Sequence, residues 1–470
     1  MDAPGPPRPQ VPRFVAGSTM RHVLEMTAAG SVGLIAVFAV DLLSLLYVSW
    51  LGDPRLTAGV GFATVVLFFA VSINLGFMIA IGALVSRALG AGDRAGAARL
   101  ATSATILAGL SGLVVSAVLL PLLPPLLEVL GASPEVRPVT IQFLWIVLPF
   151  NALMAIGMSF SGALRAIGDP KRGMYLTLVG AIVTAALDPL LIFGLRLGVP
   201  GAAISTVVSR FIFVYLGYRA TVGIHGLATR PSFSAIAADA RPTFAVAFPA
   251  ILTNLAPGIA NAFFAAILAR FGNEVVAASA IIDRLVPVAF GGVFALSGAV
   301  GPILGQNWGA RRFDRMRAAL RDSVVFVAGY VGAVWLVLLA LMGVLPLLFN
   351  STGETADLIV FFCLVSGPVW FFLALLFVAN AAFNNLGFPL LSTAFNWGRA
   401  TLGTMPFAYL GSVLAGPKGA VVGLGAGGLV FGVAGIGTAF WAVRRLERKA
   451  VGASLPPSGE KPAASEAVAP

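Results

Sequence analysis

Charged side chains are scarce in this chain. Asp, Glu, Lys and Arg together make up 10% of its 470 residues, against about 25% in an average soluble domain. Hydrophobic residues reach 59%. So little charge cannot cover the surface of an ordinary soluble protein, and this excludes that class. The natural solvent of the chain is a lipid bilayer, which a helix of roughly 20 apolar residues can cross.

Residues for metal, disulfide and nucleotide chemistry are also few. Cys363 is the single cysteine, which excludes a disulfide framework and a cysteine metal site. His22 and His225 lie far apart in polar stretches, so we expect neither to bind a metal. No lysine directly follows a glycine, so a Walker A loop cannot form. We therefore predict no metal, no cofactor and no enzymatic activity.

The net charge of +11 does not indicate a nucleic-acid partner, because the basic residues fall in short clusters between apolar runs. Twelve such runs predict membrane-spanning helices at residues 22–50, 57–86, 98–130, 136–164, 174–197, 199–223, 242–271, 275–307, 318–349, 356–386, 388–414 and 417–443. With the N-terminus in the cytoplasm, 22 of the 30 basic residues lie inside, five lie outside, and Arg210, Arg284 and Arg399 lie within helices. This bias predicts a multi-pass protein of the inner, cytoplasmic membrane with both termini in the cytoplasm.

The two halves of the chain repeat. The stretch SRALGAGDRAGAARLA resembles GQNWGARRFDRMRAAL, ALRAIGDP resembles AFNNLGFP, and PGAAIS resembles PKGAVV. These pairs align Gly90 with Gly309, Gly168 with Gly387 and Gly201 with Gly419, at offsets of 219, 219 and 218 residues. One offset at three landmarks predicts two six-helix bundles of the same orientation, related by an axis along the membrane normal.

The predicted fold is therefore an all-α polytopic membrane protein with twelve helices in two pseudo-symmetric six-helix lobes. The expected divisions are a cytoplasmic tail (1–20), an N-lobe (21–223), a cytoplasmic linker (224–241), a C-lobe (242–446) and a disordered tail (447–470). Two bundles with a seam between them are the layout of many secondary transporters, whose sites lie at the interface between the repeats.

Three of the 19 acidic residues fall well inside predicted helices: Asp41, Asp188 and Asp283. Each costs at least about 2.5–3.5 kcal/mol to place in a bilayer, so each marks a candidate functional site. Asp41 and Asp188 lie at similar depths on helices that run in the same direction, and their carboxyls can share a cavity. The alternative is a structural ion pair, of Asp188 with Arg210 or of Asp283 with Arg284, because buried charges are commonly paired.

The surroundings of Asp188, in TAALDPLLIFG, favour a carboxyl that takes up and gives up a proton. Pro189 removes its own N–H and clashes with the carbonyl of Ala185, which leaves that oxygen free. A protonated carboxyl can donate to such an oxygen, whereas an ionised one is repelled by it. Thr184 adds a hydroxyl one turn from Asp188.

Other residues within the apolar runs are candidates for a substrate cavity. An unpaired amide is costly in lipid, so we expect a group of asparagines to line the cavity together with Asp283: Asn74, Asn151, Asn254, Asn261, Asn380 and Asn384. Aromatic faces suit organic cations, so we expect two or three of seven phenylalanines to join them: Phe38, Phe68, Phe69, Phe263, Phe264, Phe290 and Phe294. Five prolines are candidate hinges: Pro189, Pro249, Pro257, Pro287 and Pro302.

Over about residues 20–445 the chain resembles the multidrug and toxic compound extrusion (MATE) transporters. The most specific stretch is ALRAIGDPKRGM followed by LDPLLIFGLRLGVPGAAIST, and LVSRALGAGDRAGAARLA supports it. The resemblance implies twelve helices in two lobes and export of cationic or amphipathic compounds in exchange for protons or sodium ions. It also implies coupling roles for Asp41 and Asp188, which match acidic positions of the first lobe in the DNA-damage-inducible (DinF-like) branch.

Departures from the family pattern bear on the coupling ion. Thr184 and Ser161 stand where the family often has asparagines, so amide oxygens that could bind sodium are missing. Helices seven and ten, where another branch has a second cation site, carry no acid over residues 241–273 and 358–386. Because hard cations prefer several oxygen ligands, we predict protons rather than sodium.

The predicted function is multidrug efflux by a monomeric proton antiporter. A proton from outside neutralises Asp41 or Asp188, the cavity loses negative charge, and a cationic substrate leaves; deprotonation toward the inside restores affinity for the substrate.

Three alternatives stay open. A lipid-linked precursor flippase of the same superfamily needs a more cationic cavity than three arginines supply. A membrane enzyme for metal-dependent prenyl transfer needs clustered aspartates, and a channel fits a two-lobed repeat with isolated acids less well than alternating access.

Overall fold

The computed structural model describes residues 12–454, and that part of the chain is helical with no β-strand. The spans, in chain order, are α1 (Thr19–Ser49), α2 (Pro54–Gly90), α3 (Arg94–Val129), α4 (Arg137–Ile167), α5 (Pro170–Gly194), α6 (Val199–Ile224), α7 (Phe233–Phe271), α8 (Asn273–Ala289 with Gly291–Gly309), α9 (Phe313–Leu341), α10 (Gly353–Asn385), α11 (389–414) and α12 (417–454). A short helix, Leu345–Leu348, follows α9.

Two breaks in helical geometry define three of these spans: α8, α11 and α12. The two parts of α8 meet at 46°, so the pair forms one bent span. The helical stretch that begins at Pro389 loses its α-helical angles at Ala415 (φ −141°, ψ 25°) and Gly416 (φ 61°, ψ −148°), which separates α11 from α12. With the bent pair counted as one span and the stretch from Pro389 divided in two, the described residues contain the twelve predicted spans, and the predicted fold class is confirmed.

Several helices extend beyond the apolar runs because polar residues cap them. The side chains of Ser18, Asp93 and Ser232 accept hydrogen bonds from backbone N–H groups in the first turns of α1, α3 and α7. Such caps satisfy donors that have no partner within the helix. The hydropathy of the chain therefore predicted the apolar cores of the spans but not their ends.

The predicted divisions of the chain need three corrections for this reason. The expected tail at residues 1–20 includes the start of α1, and the expected linker at 224–241 includes the first two turns of α7. Disorder was expected over 447–470, but α12 continues through residue 454. Residues 1–11 and 455–470 lie outside the described part of the chain.

Helix packing in the two lobes follows the repeat. In the first lobe, Gly217 of α6 packs on Phe160 of α4, where an added Cβ would lie 2.7 Å from the Phe160 ring. At matching positions of the second lobe, Gly435 of α12 packs on Ala379 of α10. Gly168 and Gly387, the second aligned pair, both take left-handed angles (φ 90° and 85°) that end α4 and α10. The duplication predicted from three sequence landmarks therefore extends to side-chain contacts.

The lobes cross at a pair of glycines that the repeat relates to each other. A Cβ added to Gly90 in α2 would lie 2.0 Å from the carbonyl oxygen of Gln306 in α8. A Cβ added to Gly309 would lie 2.1 Å from the carbonyl oxygen of Arg87. The repeat offset converts position 87 into 306 and position 90 into 309, so the contact is self-complementary, as in a two-fold interface. The pseudo-symmetry axis therefore passes through this crossing.

We expect Gly90→Ala to destabilise the protein, because the new methyl group meets backbone rather than a movable side chain. Overpacking of this kind costs about 1–3 kcal/mol or more. The measurement is thermal unfolding in detergent, followed by tryptophan fluorescence. Gly329→Ala is the matched control, since that glycine in α9 has open space around it. Equal unfolding midpoints for the two variants would show that the crossing is not tight.

Candidate functional site

Asp188 lies where α1, α5 and α6 meet. Its side chain is buried, with 1% of its surface exposed. Ser44 of α1 donates a hydrogen bond to its Oδ2, and Ser205 of α6 donates one to its Oδ1. After Pro189, the last turn of α5 widens into a π-helical turn over Leu190–Gly194. The carboxyl group therefore joins three helices beside a local break in α-helical geometry.

The polar residues predicted to support Asp188 make no hydrogen bond or ion pair with it in the described part of the chain. Arg210 is buried and donates to the carbonyl oxygen of Val147 at 2.7 Å, and no ion pair joins it to Asp188 within residues 12–454. Thr184 donates to the carbonyl oxygen of Gly180, in its own helix, at 3.1 Å. Ser161 is buried, and its hydroxyl has no hydrogen-bond partner in the described part of the chain. The ion-pair interpretation of Asp188 is therefore wrong, and its carboxylate is satisfied by hydroxyls.

Asp41 lies on the face of α1 that is turned toward the second lobe. Gly30, 11 residues earlier and so three turns away on the same face, packs on Ala295 of α8, with 3.2 Å between its added Cβ and the alanine methyl. Gly30 is in contact with the second lobe, whereas the side chain of Asp41, on the same face of α1, is exposed. Asp41 also lies one turn before Ser44, which donates to Asp188. The two acids therefore flank one serine, with Asp41 on the side of the seam.

Asp283 lies in the first part of α8, Asn273–Ala289, and is exposed, as is Arg284 beside it. Within the described residues no ion pair joins the two. The proposed pairing of Asp283 with Arg284 is therefore wrong. The carboxyl group of Asp283 has no ion-pair partner among the described residues, and its side chain is exposed.

The candidate cavity residues separate into three groups. Asn74 and Asn151 are buried inside the first lobe, where Asn74 donates to Asn151 Oδ1 at 2.9 Å. Asn380 and Asn384 are buried in the second lobe, and their Oδ1 atoms have no hydrogen-bond partner in the described part of the chain. These four asparagines are therefore buried, and their place in a substrate cavity stays a prediction. Asn261 is exposed, and Asn254 is half-buried and donates to the carbonyl oxygen of Ala250.

The aromatic candidates are likewise divided. Phe68 and Phe69 are exposed in the middle of α2, and Phe68 packs against Gly258 of α7 in the second lobe. Phe290 is fully buried and stacks on Trp370 with ring centroids 4.6 Å apart, so it belongs to the core. The remaining four are half-buried: Phe38, Phe263, Phe264 and Phe294. Among the candidate hinges, Pro287 lies two residues before the bend in α8.

The seam between the lobes is closed on the side where α2 ends and α9 begins. Arg87 of α2 donates to the carbonyl oxygen of Asn385 at 3.1 Å, and its guanidinium lies 3.7 Å from the ring centroid of Trp308. Ser86 is fully buried against Gly305 of α8. These contacts lie on the same side as the glycine crossing, whereas Asp41 is exposed on the opposite side.

A short segment before α1, residues 12–18, covers this closed side and bonds to both lobes. Arg13 donates to the carbonyl oxygen of Gly168 in the first lobe at 2.5 Å. Phe14 is buried, its N–H donates to Gln306 Oε1 at 2.9 Å, and its carbonyl accepts from Arg315 at 2.8 Å in the second lobe. We call residues 12–18 the clasp. It was expected to be part of a tail.

The linker is tied to the first lobe by a charged group at the same end. The imidazole Nε2 of His225 lies 2.8 Å from Asp169 Oδ2, and Arg172 bonds to the same carboxylate. Burial alone would raise the pKa of Asp169, but the hydrogen bonds from Arg172 and His225 lower it below its usual value. Asp169 therefore stays ionised at neutral pH and holds the linker against α5.

Sequence reasoning missed Ser44, Ser205 and the clasp. Ser44 carried one usable signal, since it lies one turn after an intramembrane acid. Ser205 carried none beyond its type, because serines within membrane helices commonly bond to their own backbone. The clasp bonds to residues about 150 to 300 positions away, so no local pattern could indicate it.

We expect Asp188 and Ser205 to be energetically coupled and Asp188 and Arg210 to be nearly independent. Double-mutant cycles of unfolding in detergent, with Asp188→Asn, Ser205→Ala and Arg210→Met, measure both couplings. A hydrogen bond to a charged group contributes about 1.5–3 kcal/mol, whereas independent sites add within about 0.5 kcal/mol. A larger coupling free energy between Asp188 and Arg210 than between Asp188 and Ser205 would contradict the assignment of partners.

Comparisons with known proteins place the chain in a family. The MatE family profile matches residues 31–190 and 249–410. A protein of Shewanella oneidensis named FAD transporter is 28% identical over 423 residues, which cover 88% of this chain and 93% of that protein. The multidrug export protein MepA of Staphylococcus aureus is 26% identical over 336 residues, 69% of this chain and 71% of that protein.

Solved structures agree on the fold. A mutant of the Vibrio cholerae MATE transporter VcmN superposes with a TM-score of 0.86 at 24% identity, over 92% of this chain and 97% of that one. At this identity the likeness shows the fold alone. The family profile covers most of both lobes, with a gap around the linker. The chain belongs to the MatE family of multi-pass membrane transporters.

Proposed function

We propose that the protein is a secondary active exporter that exchanges cationic or amphipathic organic compounds for protons. The observation that supports this most strongly is the placement of Asp188. Its buried carboxylate is held by hydroxyls from two other helices, and the serine on α1 lies one turn from Asp41 on the seam. A proton that binds to the exposed Asp41 is thereby close to the group that joins the three helices.

The two serines give the proton a way to act on helix packing. An ionised Asp188 accepts from both Ser44 and Ser205, which links α1, α5 and α6. A protonated carboxyl has a donor of its own, so one of these hydrogen bonds must reverse or break. The proton therefore binds two arrangements of the helices differently, which is the condition for driving a conformational change.

Sodium is the alternative coupling ion. It needs several oxygen ligands in one place, and residues 12–454 contain no cluster of three or more His, Cys, Asp or Glu that could hold a metal ion. Both hydroxyls near Asp188 already donate to its carboxylate. Protons need no such cage, so we propose proton coupling. The assignment to the DNA-damage-inducible branch, the cytoplasmic location of both termini and the monomeric state belong to the same proposal.

The substrate class follows from the charge along the seam. Asp41 is exposed on the seam, and its negative charge suits a cationic compound. A relative named multidrug export protein MepA supports a drug-like substrate. The second candidate is a flavin dinucleotide, which is favoured by the relative named FAD transporter. A lipid-linked precursor flippase is less well supported, because Arg210 and Arg399 are buried and Arg284 is the only exposed arginine of the three within the spans.

We expect Asp41→Asn and Asp188→Asn each to lower proton-driven accumulation of a fluorescent organic cation in inverted membrane vesicles at least about tenfold, the effect of losing about 1.4 kcal/mol of coupling. Neither amide can carry the proton. Asp314→Asn is the matched control, because this acid is exposed in the first turn of α9 and pairs with Arg312 there. A sodium gradient replaces the proton gradient in a second arm, and unlabelled FAD competes in a third.

Transport by both variants at the control rate would remove the proposed coupling mechanism. A sodium gradient that alone drives accumulation would replace the proton by sodium. Strong competition by FAD, together with no accumulation of the cation by the unmodified protein, would favour the flavin dinucleotide.

Alternating access requires the closed side of the seam to open, so the clasp must release. We expect Phe14→Ala combined with Arg315→Gln to favour opening, because the pair removes the buried ring and the guanidinium that hold the clasp. The reporter is Ser86→Cys in a Cys363→Ser background, labelled with a maleimide in inverted vesicles. A shift of about 1.4 kcal/mol would raise the labelling rate about tenfold.

Phe233→Ala is the control for the clasp variant, since Phe233 is 88% exposed at the start of α7. Labelling of Ser86→Cys at the same rate in the clasp variant and in this control would show that the clasp does not hold the seam closed.

A further inference from the structure

The last turns of α12 carry a pocket that the transport proposal does not use. It has a volume of about 680 Å³ and is lined by Gly437, Phe440, Trp441, Arg444, Arg445, Arg448 and Lys449. Gly437 leaves open space at its floor, with no other heavy atom within 4 Å of an added Cβ. Trp441, 48% exposed, stands at its edge. The pocket therefore has an aromatic, apolar end toward the span and a basic end beyond it.

The four basic residues of this pocket have no acidic partner in the described part of the chain. All four are exposed, and the one carboxylate among them, Glu447, is turned away and pairs with Arg317 of α9 at 2.5 Å. Like charges one turn apart on a helix repel each other. An anion bound between them would relieve that repulsion.

One of the cations is held in place. The guanidinium of Arg445 lies 5.1 Å from the ring centroid of Trp441 and 5.9 Å from that of Phe388, in the connection between α10 and α11. A planar guanidinium fixed against aromatic rings is a better phosphate receptor than a mobile lysine, because less side-chain freedom is lost on binding. Phe388 connects the pocket to a second element of the lobe.

The internal repeat does not account for this cluster. With an offset of 219, residues 444–449 (RRLERK) align with 225–230 (HGLATR), which contain a single arginine. Charges that served only to orient the chain in the membrane could lie anywhere at this end. Here they surround a pocket, and only in one of the two lobes.

We propose that this pocket binds the phosphate headgroup of an anionic phospholipid in the cytoplasmic leaflet. The apolar end, with Phe440 and Trp441, accommodates the glycerol and first acyl carbons, and the basic end binds the phosphate. Tryptophan is common at this level of the bilayer, and basic pockets at the cytoplasmic ends of membrane helices bind acidic headgroups. The inference rests on the proposed cytoplasmic location of the end of α12 and is independent of the transported compound.

The test uses the full chain in nanodiscs of phosphatidylcholine with a minor fraction of phosphatidylglycerol, with lipid retained after detergent extraction measured by native mass spectrometry. We expect Arg445→Gln with Arg448→Gln to weaken retention of phosphatidylglycerol about tenfold to thirtyfold, since each basic residue near a membrane surface contributes roughly a factor of five. Phosphatidylcholine retention should not change.

Lys171→Gln with Arg311→Gln is the matched control, because it removes the same charge from exposed positions elsewhere at this end. Equal phosphatidylglycerol retention in the two double variants would overturn the proposal and leave the cluster a topological signal. Displacement of the lipid by millimolar inorganic phosphate would also overturn it, in favour of a soluble phosphate ligand. Protease protection of the C-terminus checks that both variants insert normally, and Arg445→Lys, which keeps the charge but not the planar group, should lose part of the retention.

Discussion

A hydrocarbon solvent offers no hydrogen bonds, and the arrangement of polar groups in this protein follows from that constraint. Arg210 donates to a backbone carbonyl, Asn74 and Asn151 bond to each other, and Asp188 accepts from two serines. Each of these groups joins two or more helices through hydrogen bonds. Asp41 has no such partner in the described residues, and its side chain is exposed.

The same constraint makes Asp188 suitable as a coupling group. Its two hydroxyl donors belong to different helices, so a change in its protonation cannot be absorbed within α5 alone. The neighbouring π-turn after Pro189 gives the helix a place to adjust, because its hydrogen bonding is already irregular. Under the proposed function, packing, proton binding and movement are concentrated in one small region of the first lobe.

Duplication shapes the molecule, but the two copies are used differently. The crossing of Gly90 and Gly309 is symmetric and lies on the axis that relates the lobes. The proposed coupling acids occur in the first lobe, whereas the basic pocket occurs at the end of the second. A symmetric contact can open or close without favouring either lobe. In the proposed mechanism, the acids of the first lobe then determine that opening of the crossing is coupled to proton binding. The clasp joins both lobes on the closed side of this crossing.

The sequence by itself determined the class of fold, the number of spans and the repeat, because these depend on hydropathy and on spacings along the chain. It also identified Asp41 and Asp188, since an acid in an apolar run is conspicuous. Only the tertiary structure decided that Ser44 and Ser205, rather than Arg210 or Thr184, bond to Asp188. It also decided that residues 12–18 form a clasp and that Asn74 and Asn151 are buried with each other. These outcomes depend on which faces of distant helices meet, and hydropathy carries no information about the rotation of one helix against another.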